Sequence, residues 1–487
     1  VRILFATPEC APWVKTGGLG DVSGALPPTL ARLGHSVRVL MPAYRDMKIE
    51  GDVIETVELP ADGRWPAAQL MTVRTPAITL VLLSCPALYD RPGGPYLTPE
   101  GHDHHDNAYR FGFLSHVAAR IGMPMSPLRD WQADVVHAND WPTALAPMYL
   151  ADWRMSLPKH QRAASVVTIH NIAFQGIFPM HLADVVGVPW HWRGIDGVEF
   201  WGQMSMLKAA LQFADAITTV SPSYAQEIRT EAFGVGLHGV LRAQSHKLTG
   251  ILNGIDTQVW DPRTDAHLER RYGEQDIVPA KHADKIALQE RCGLAIRERA
   301  MLFGVVSRLT SQKGIDLVLG AIDAIVARGG QLVVLGQGEP ALHEALRAAA
   351  QKHPDSVAVR FGFDEALAHR IEAGIDCFLM PSRFEPCGLN QMYSQAYGSP
   401  PIVSPVGGLK DSVIDVDNDP VDGSGFVMTS CDAAGFDDAL ARAFAAYAEP
   451  AIWERIQRNG MARKFGWEES AAKYAEVYEQ ALAAARR

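Results

Sequence analysis

The sequence predicts an α/β protein built from two doubly wound units, and three observations carry that reading. Its 487 residues are too many for one ordinary core and suit two domains of roughly 200 residues or more each. Short apolar runs rich in β-branched residues alternate with helix-period segments, the pattern of parallel strands covered on both faces. In the second half this alternation is very regular, and several of its helical segments end in glycine.

In the first half the strand segments are "RILFA", "SVRVLMP", "ITLVLL", "DVVHAN", "SVVTIH", "AITTVS" and "LTGILN". After the first of them, Leu19, Val22, Leu26, Leu30 and Leu33 recur at helical spacing, so a helix should begin near Gly20. Pro27 and Pro28 should kink it, because Pro27 has no N–H for the carbonyl of Ser23. Residues 50–130 are less regular, and "RPGGPYLTPEGHDHHDN" reads as a loop. A hinge is expected just after "ILNGID", near residues 254–260. The second-half strands are "MLFGVVS", "QLVVLG", "VAVRFG", "CFLMPS" and "PPIVSP", with "GIDLVLGAIDAIVARG", "EPALHEALRAAAQKH" and "EALAHRIEAG" as helices between them. From about Ile452 the chain reads as two helices rich in Ala, Glu and Arg. The expected domains are residues 1–254, with a terminal helix 466–487 packing back on them, and residues 255–465.

Composition narrows the function. Hydrophobic residues make up 47%, which suits a globular protein. The net charge of −10 argues against nucleic acid as the main partner. No apolar run reaches membrane-spanning length. "VRILFATPE" enters a strand at once, so no signal peptide is expected. The six cysteines form no CxxC pair, so a cytoplasmic enzyme without disulfides or structural zinc is expected.

Ligands of open α/β sheets bind at the carboxyl ends of the strands, and two such units would turn those ends to one cleft. The motifs fall in the loops just after strands. "KTGGLGDV" is not a Walker loop, where the lysine follows the glycines, and the dinucleotide fingerprint fails at Ser23. It reads either as a backbone approach to an anion at a helix N-terminus with Lys15 adding charge, or as a tight turn with a solvated lysine. "GVVSRLTSQKGIDLV" places Arg308 at a strand end and Lys313 at the start of the next helix. The two cations could replace a metal ion at a departing diphosphate, or Lys313 could be a surface residue. "PSRFEPCGLNQMYSQAYGSPPIV" is strand, loop, helix and strand. Glu385 lies at the sheet mouth, followed by the amides of Cys387, Gly388 and Leu389. Glu385 could accept hydrogen bonds from sugar hydroxyls or merely complement the helix dipole. "GGLKD" at 407–411 could help hold phosphate through Gly408 or be an ordinary turn. "DVDNDP" and "HDHHD" have metal-like spacing but read as acidic and solvated loops, so no metal is expected.

Together "KTGGLGDV", "HNIAFQG", "SRLTSQKG" and "PSRFEPCGLNQMYSQAYGS" resemble the bacterial glycogen synthases and plant starch synthases, in order and spacing over essentially the full chain. The resemblance implies the two-domain GT-B fold and transfer of glucose from ADP-glucose to the non-reducing 4-hydroxyl of an α-1,4-glucan with retention, and no cofactor. By motif position Arg308 and Lys313 match a diphosphate-binding pair, Glu385 the glutamate on the donor glucose, and His170 and Asn171 residues lining that sugar. Asp140 matches a carboxylate near the reaction centre, Lys15 and Gly18 the nucleotide-sugar loop, and Asn253 and Tyr96 residues of the same cleft. Asp21, Ser382, Cys387, Gly388 and Leu389 fall within these motifs, and Gly408 in the "GGLKD" turn where family loops help hold phosphate; all are assigned to substrate binding. Many related transferases carry a second, ribose-binding glutamate eight residues after the first. Here that position is Tyr393, as in the synthase branch.

No pair of carboxylates suits double displacement, which needs them about 5 Å apart. The resemblance implies instead a reaction on one face, with the leaving phosphate helping to deprotonate the acceptor. A UDP-glucose-dependent transferase and a non-catalytic glucan-binding relative are the rival readings. Intact Lys15, Arg308, Lys313 and Glu385 disfavour the second. Oligomeric state is not legible.

Overall fold

The computed structural model describes residues 1–487, which divide into two compact units, Val1–Asn253 with Trp467–Arg487 and Gly254–Gly466. The first unit contains strands β1 (Arg2–Ala6), β2 (Ser36–Pro42), β3 (Asp52–Leu59), β4 (Ala68–Arg74), β5 (Thr79–Ser84), β6 (Val135–Asn139), β7 (Ala164–Ile169), β8 (Ile177–Pro179), β9 (Glu199–Phe200), β10 (Gln203–Ser205), β11 (Ala216–Thr219) and β12 (Leu248–Gly250). Nine of them form one sheet in the order β12-β11-β7-β6-β1-β2-β5-β4-β3, and β8-β10-β9 form a small antiparallel sheet. The order reverses between β1 and β6: the chain winds from β1 toward β2 and β5, and then from β6 toward β7, β11 and β12.

The hairpin β3–β4, which adds an antiparallel edge to β5, was not expected in the stretch read as irregular. Its strands alternate exposed and buried residues, so β3 lacks the continuous apolar run that marks a strand buried on both faces. The helix Gly18–Arg32 begins two residues earlier than its spacing predicted and continues through Pro27 and Pro28. The Ser23 carbonyl, which Pro27 cannot serve, is met by the thiol of Cys10 at 3.3 Å. Burial pushes that thiol up to about 12, which keeps it protonated and able to donate.

The terminal helix Trp467–Ala485 belongs to this unit for a reason visible in its spacing. Trp467, Ala471, Tyr474, Tyr478, Ala481 and Ala485 fall on one stripe and enter the core with Ile3, Phe5, Val22, Leu26 and Val166. The Tyr478 hydroxyl lies 2.8 Å from His137 Nδ1, whose Nε2 lies 2.6 Å from the Thr168 hydroxyl, so one buried polar chain ties this helix to β6 and β7.

The second unit contains β13 (Leu302–Leu309), β14 (Gln331–Gly338), β15 (Val357–Phe361), β16 (Cys377–Met380), β17 (Pro401–Val403) and β18 (Phe426–Val427), all parallel, in the order β15-β14-β13-β16-β17-β18. That is the doubly wound order, with its switch point between β13 and β16. Alternate residues serve opposite faces. Phe303, Val305, Leu332 and Val334 pack against the helices Ile315–Ala327 and Ala433–Tyr447, whereas Leu302, Val333 and Leu335 meet Leu367, Ile371 and Leu288. Leu288 lies on the helix Ile277–Cys292, which its polar sequence did not announce. That helix buries Lys281 and Lys285, and Lys285 pairs with Asp376 at 2.6 Å. No helix is long and apolar enough to cross a membrane.

Two residues of the β9–β10 turn stand apart. Trp201 has φ 52° and is followed by Gly202 at φ 79°. A left-handed conformation costs a residue with a Cβ about 1–2 kcal/mol.

Tyr478→Phe removes one hydrogen bond from the buried chain while leaving the packing in place. It is expected to lower stability by about 1–2 kcal/mol in urea unfolding.

Candidate functional site

In each unit most of the predicted site residues lie on loops near the point where the strand order reverses; Asn253 instead follows the edge strand β12, and Gly408 follows β17. In the second unit, β13 ends at Leu309 and β16 at Met380, and loops leave both strands at the switch point. Lys313 was expected in the first turn of a helix. It sits instead in a single 3₁₀ turn, Ser311–Lys313, and the α-helix starts only after Gly314. Gly314 has φ +71°, and a Cβ there would lie 2.1 Å from the Pro381 carbonyl oxygen, so only glycine lets this turn touch the backbone after β16. The contact is reinforced by Arg383 N–H to the Gln312 carbonyl at 2.9 Å and by the Gln312 side chain to the Phe384 carbonyl at 3.2 Å.

This approach brings Lys313 Nζ to 2.5 Å from Glu385 Oε2, with the two side chains only 15% and 8% exposed. The buried Ser382 hydroxyl donates to the same carboxylate oxygen at 3.1 Å. A third loop closes from β17. A Cβ on Gly407 would be 1.9 Å from the Glu385 carbonyl oxygen and one on Gly408 2.2 Å from that of Cys387, while Gly408 N–H donates to the Glu385 carbonyl at 3.2 Å. Gly388 has φ +72°, and Leu389 precedes the short helix Asn390–Ala396.

The two members of the expected Arg308–Lys313 pair differ in their surroundings. Lys313 has a carboxylate partner, and Arg308, at the end of β13, is exposed and forms no salt bridge. Tyr393 stacks face to face on Trp260, with ring centres 3.9 Å apart, and Trp260 stacks in turn on His369 at 3.9 Å. Trp260 carries no motif signal of its own; only the fold brings it to Tyr393.

In the first unit the most connected residue is one the motifs did not single out. Glu9, buried just after β1, accepts hydrogen bonds from Thr16 N–H at 2.5 Å, the Thr16 hydroxyl at 2.9 Å, Gly17 N–H at 3.4 Å and the Tyr96 hydroxyl at 3.1 Å. It shapes the "KTGGLG" loop from beneath. Burial raises its pKa, and these donors oppose the shift. Its one sequence signal is position, as the first carboxylate after a parallel strand. Lys15 pairs with Asp21 at 2.7 Å across the first turn of the helix, both partly exposed. Gly17 and Gly18 have nothing within 4 Å of where a Cβ would stand, so the loop backbone is open to approach.

Asp140 follows β6 with φ +53°, a left-handed conformation held in place by its neighbours. Its Oδ1 accepts from His170 N–H at 2.7 Å. Burial pushes its pKa up to about 7, against the opposing hydrogen bonds from the His170 and Asn171 amides and with a smaller contribution from the charge of Glu9. The His170 ring is held neutral, its pKa pushed down to about 3 by burial. Its Nε2 lies 2.9 Å from Asn139 Oδ1, and the Asn139 amide nitrogen donates to the Ala6 carbonyl at 3.0 Å. Asn139 thus presents its oxygen, His170 Nε2 is the donor, and Nδ1 keeps its lone pair. Asn171 Oδ1 accepts from Ala173 N–H at 3.0 Å, and the buried Asn253 Oδ1 has no hydrogen-bond partner.

Three carboxylates of the two metal-like stretches are ion-paired. Asp106 is paired with Arg91 at 2.7 Å, and Asp415 and Asp417 with Arg442 at 3.1 and 2.9 Å.

A family model described as the starch synthase catalytic domain matches residues 2–243, and one described as glycosyl transferases group 1 matches residues 289–459. Over 483 residues the chain is 57% identical to a glycogen synthase of Paracidovorax citrulli, covering 98% of this chain and 94% of that one. Over 490 residues it is 50% identical to a glycogen synthase of Aromatoleum aromaticum, covering 100% and 98%. The structure is similar to the catalytic domain of starch synthase IV from Arabidopsis thaliana, solved with ADP and acarbose, at a TM-score of 0.85 and 33% identity over 99% of each chain. A sucrose-phosphate synthase from Thermosynechococcus elongatus, at TM-score 0.59 and 19% identity, shares the fold alone. A full-length likeness of this degree and two doubly wound units lead to one conclusion: the chain belongs to the glycogen synthases of the starch synthase family, GT-B glycosyltransferases.

Proposed function

We propose that this chain elongates an α-1,4-glucan by transferring glucose from ADP-glucose to its non-reducing 4-hydroxyl with retention of configuration. Kinship over the full chain gives it glycogen synthase activity. The observation that best supports the chemistry is the Lys313–Glu385 ion pair at the switch point of the second unit. A carboxylate that can accept hydrogen bonds from sugar hydroxyls and a cation that can meet a diphosphate stand there in one contact.

Bond breaking places charge on the departing diphosphate. At an effective dielectric near 20, a unit charge about 4 Å away is worth roughly 4 kcal/mol before desolvation. Lys313 and the unpaired Arg308 are the groups to supply it. Ser382 and Lys313 hold Glu385 by the same oxygen, which orients the carboxylate and leaves its other oxygen for a donor hydroxyl. On the first unit, neutral His170 offers Nδ1 as an acceptor for a sugar hydroxyl. Asp140, with a pKa near 7, is tuned to share the proton of an incoming hydroxyl at neutral pH. The open backbone at Gly17 and Gly18, with Lys15 beside it, suits an anionic part of the donor.

Lys313→Ala should lower kcat at least about tenfold, the loss of a charge-assisted contact of about 1.5–3 kcal/mol. Steady-state assays that return unchanged kcat and KM would remove Lys313 from the mechanism. Incorporation into glycogen should be much faster from ADP-glucose than from UDP-glucose; equal rates would support the rival donor.

The pH dependence has a definite sign. Asp140 holds its proton in the folded chain up to about pH 7 but releases it near pH 4 when unfolded. Its ionisation therefore opposes folding increasingly from about pH 4 to 7. Activity that needs the ionised form should rise through pH 7. Asp140→Asn should flatten that limb of the kcat/KM profile, lower its plateau, and raise Tm above pH 7. A wild-type profile already flat from pH 6 to 8 would contradict this role.

A further inference from the structure

We propose that Trp201, at the tip of the β9–β10 hairpin, is a docking platform for the glucan chain outside the residues that handle the reacting sugar. This rests on the glucan-transfer reading above. Trp201 and Gly202 join β9 to β10 as a two-residue loop with both φ values positive, 52° and 79°. Such loops strongly favour Asn, Asp or Gly, and a bulky residue there is an outlier. Packing does not repay the strain, because Trp201 is 82% exposed. Strain kept at a position that adds nothing to the core points to a role in binding.

The hairpin is built onto the "HNIAFQG" segment. β8 follows directly on Gly176 and pairs with β10, Ser205 opposite Ile177 and Gln203 opposite Pro179. Met206 N–H donates to the Gly176 carbonyl at 3.0 Å, and the Gln175 side chain to the Val235 carbonyl at 2.8 Å. Val235 and Gly236 form a second left-handed pair, with φ 47° and 82°. A Cβ on Gly236 would stand 2.9 Å from the Phe200 ring and 3.7 Å from Trp201 Nε1, so this second turn runs beside the hairpin tip. The three residues of β8 carry the tip on the order of 10 Å beyond Gly176. Phe174, on the same segment, is 59% exposed. A polymer held at His170 and Asp140 would reach this surface with its next sugars.

The chemistry suits a neutral polyhydroxylated chain. An indole offers an apolar face for the C–H face of a pyranose and an N–H donor at its rim. Residues 197–207 contain no Lys or Arg, and their one carboxylate, Glu199, accepts Gly202 N–H at 2.7 Å, so the hairpin itself offers no cation to an anionic membrane surface.

Trp201→Asn tests the platform without endangering the fold, because it installs the Asn-Gly pair this turn prefers. The full-length variant should have a Tm equal to or above that of the parent. Its KM for glycogen should rise roughly five- to tenfold, and its retardation in glycogen-containing native gels should be lost. Its kcat and KM with maltotriose should stay within about twofold. Trp201→Phe should recover most of the glycogen affinity. Unchanged glycogen KM and retardation would overturn the proposal, as would a variant whose loss is confined to self-association in gel filtration or to binding of anionic vesicles. If neither the parent nor the variant transfers glucose to any acceptor, the catalytic reading fails, and gel retardation still decides the platform.

Discussion

The Lys313–Glu385 ion pair is the contact on which the second unit's site depends, and it is a product of topology. Loops leave β13 and β16 in opposite directions at the switch point, which opens a space at the carboxyl ends of adjacent strands. Closing it with a lysine and a glutamate that are both mostly buried is costly unless each charge has partners. Ser382 adds the hydrogen bond that the pair alone lacks. Three glycines make the geometry possible. Gly314, Gly407 and Gly408 each bring backbone so close to the "RFEPCG" loop that a Cβ would collide with a carbonyl oxygen. The loop is clamped from both sides by backbone, with Glu385 held by Lys313 and Ser382.

The first unit solves a different electrostatic problem at its own switch point. It has no buried ion pair there. Glu9 and Asp140 are carboxyl groups whose pKa values rise on burial, and His170 is an imidazole whose pKa falls. All three shifts favour the neutral form, whereas the second unit places a mostly buried ion pair at its switch point. Asp140 and His170 share one loop contact yet titrate in opposite senses. That separation is what a site needs when one group must hold a proton and its neighbour must lack one.

Legibility followed burial. Strands β1, β6, β7, β13 and β14 were readable because both faces are covered, which forces continuous apolar runs. The β3–β4 hairpin was not, because one side of the edge strand stays wet. The helix Ile277–Cys292 hid behind lysines that are buried through an ion pair and carbonyl contacts rather than through apolar packing. The helix Gly18–Arg32 carries two prolines that pattern reading treats as a kink. A cysteine thiol 13 residues upstream in sequence supplies a donor that no local rule anticipates.

By itself the sequence determined the class of fold, the succession of the buried parallel strands, and the loops in which Lys15, Asp140, His170, Lys313 and Glu385 lie. Each of these is a local pattern of hydrophobicity, glycine and charge. Only the tertiary structure decided who touches whom. Lys313 and Glu385 are 72 residues apart and meet because β13 and β16 are neighbours. Glu9 gains its role from Tyr96, 87 residues away, and Tyr393 its stacking partner from Trp260. A strand order is a set of non-local pairings, and the partners of a charge or a ring are set by those pairings rather than by its neighbours in the chain.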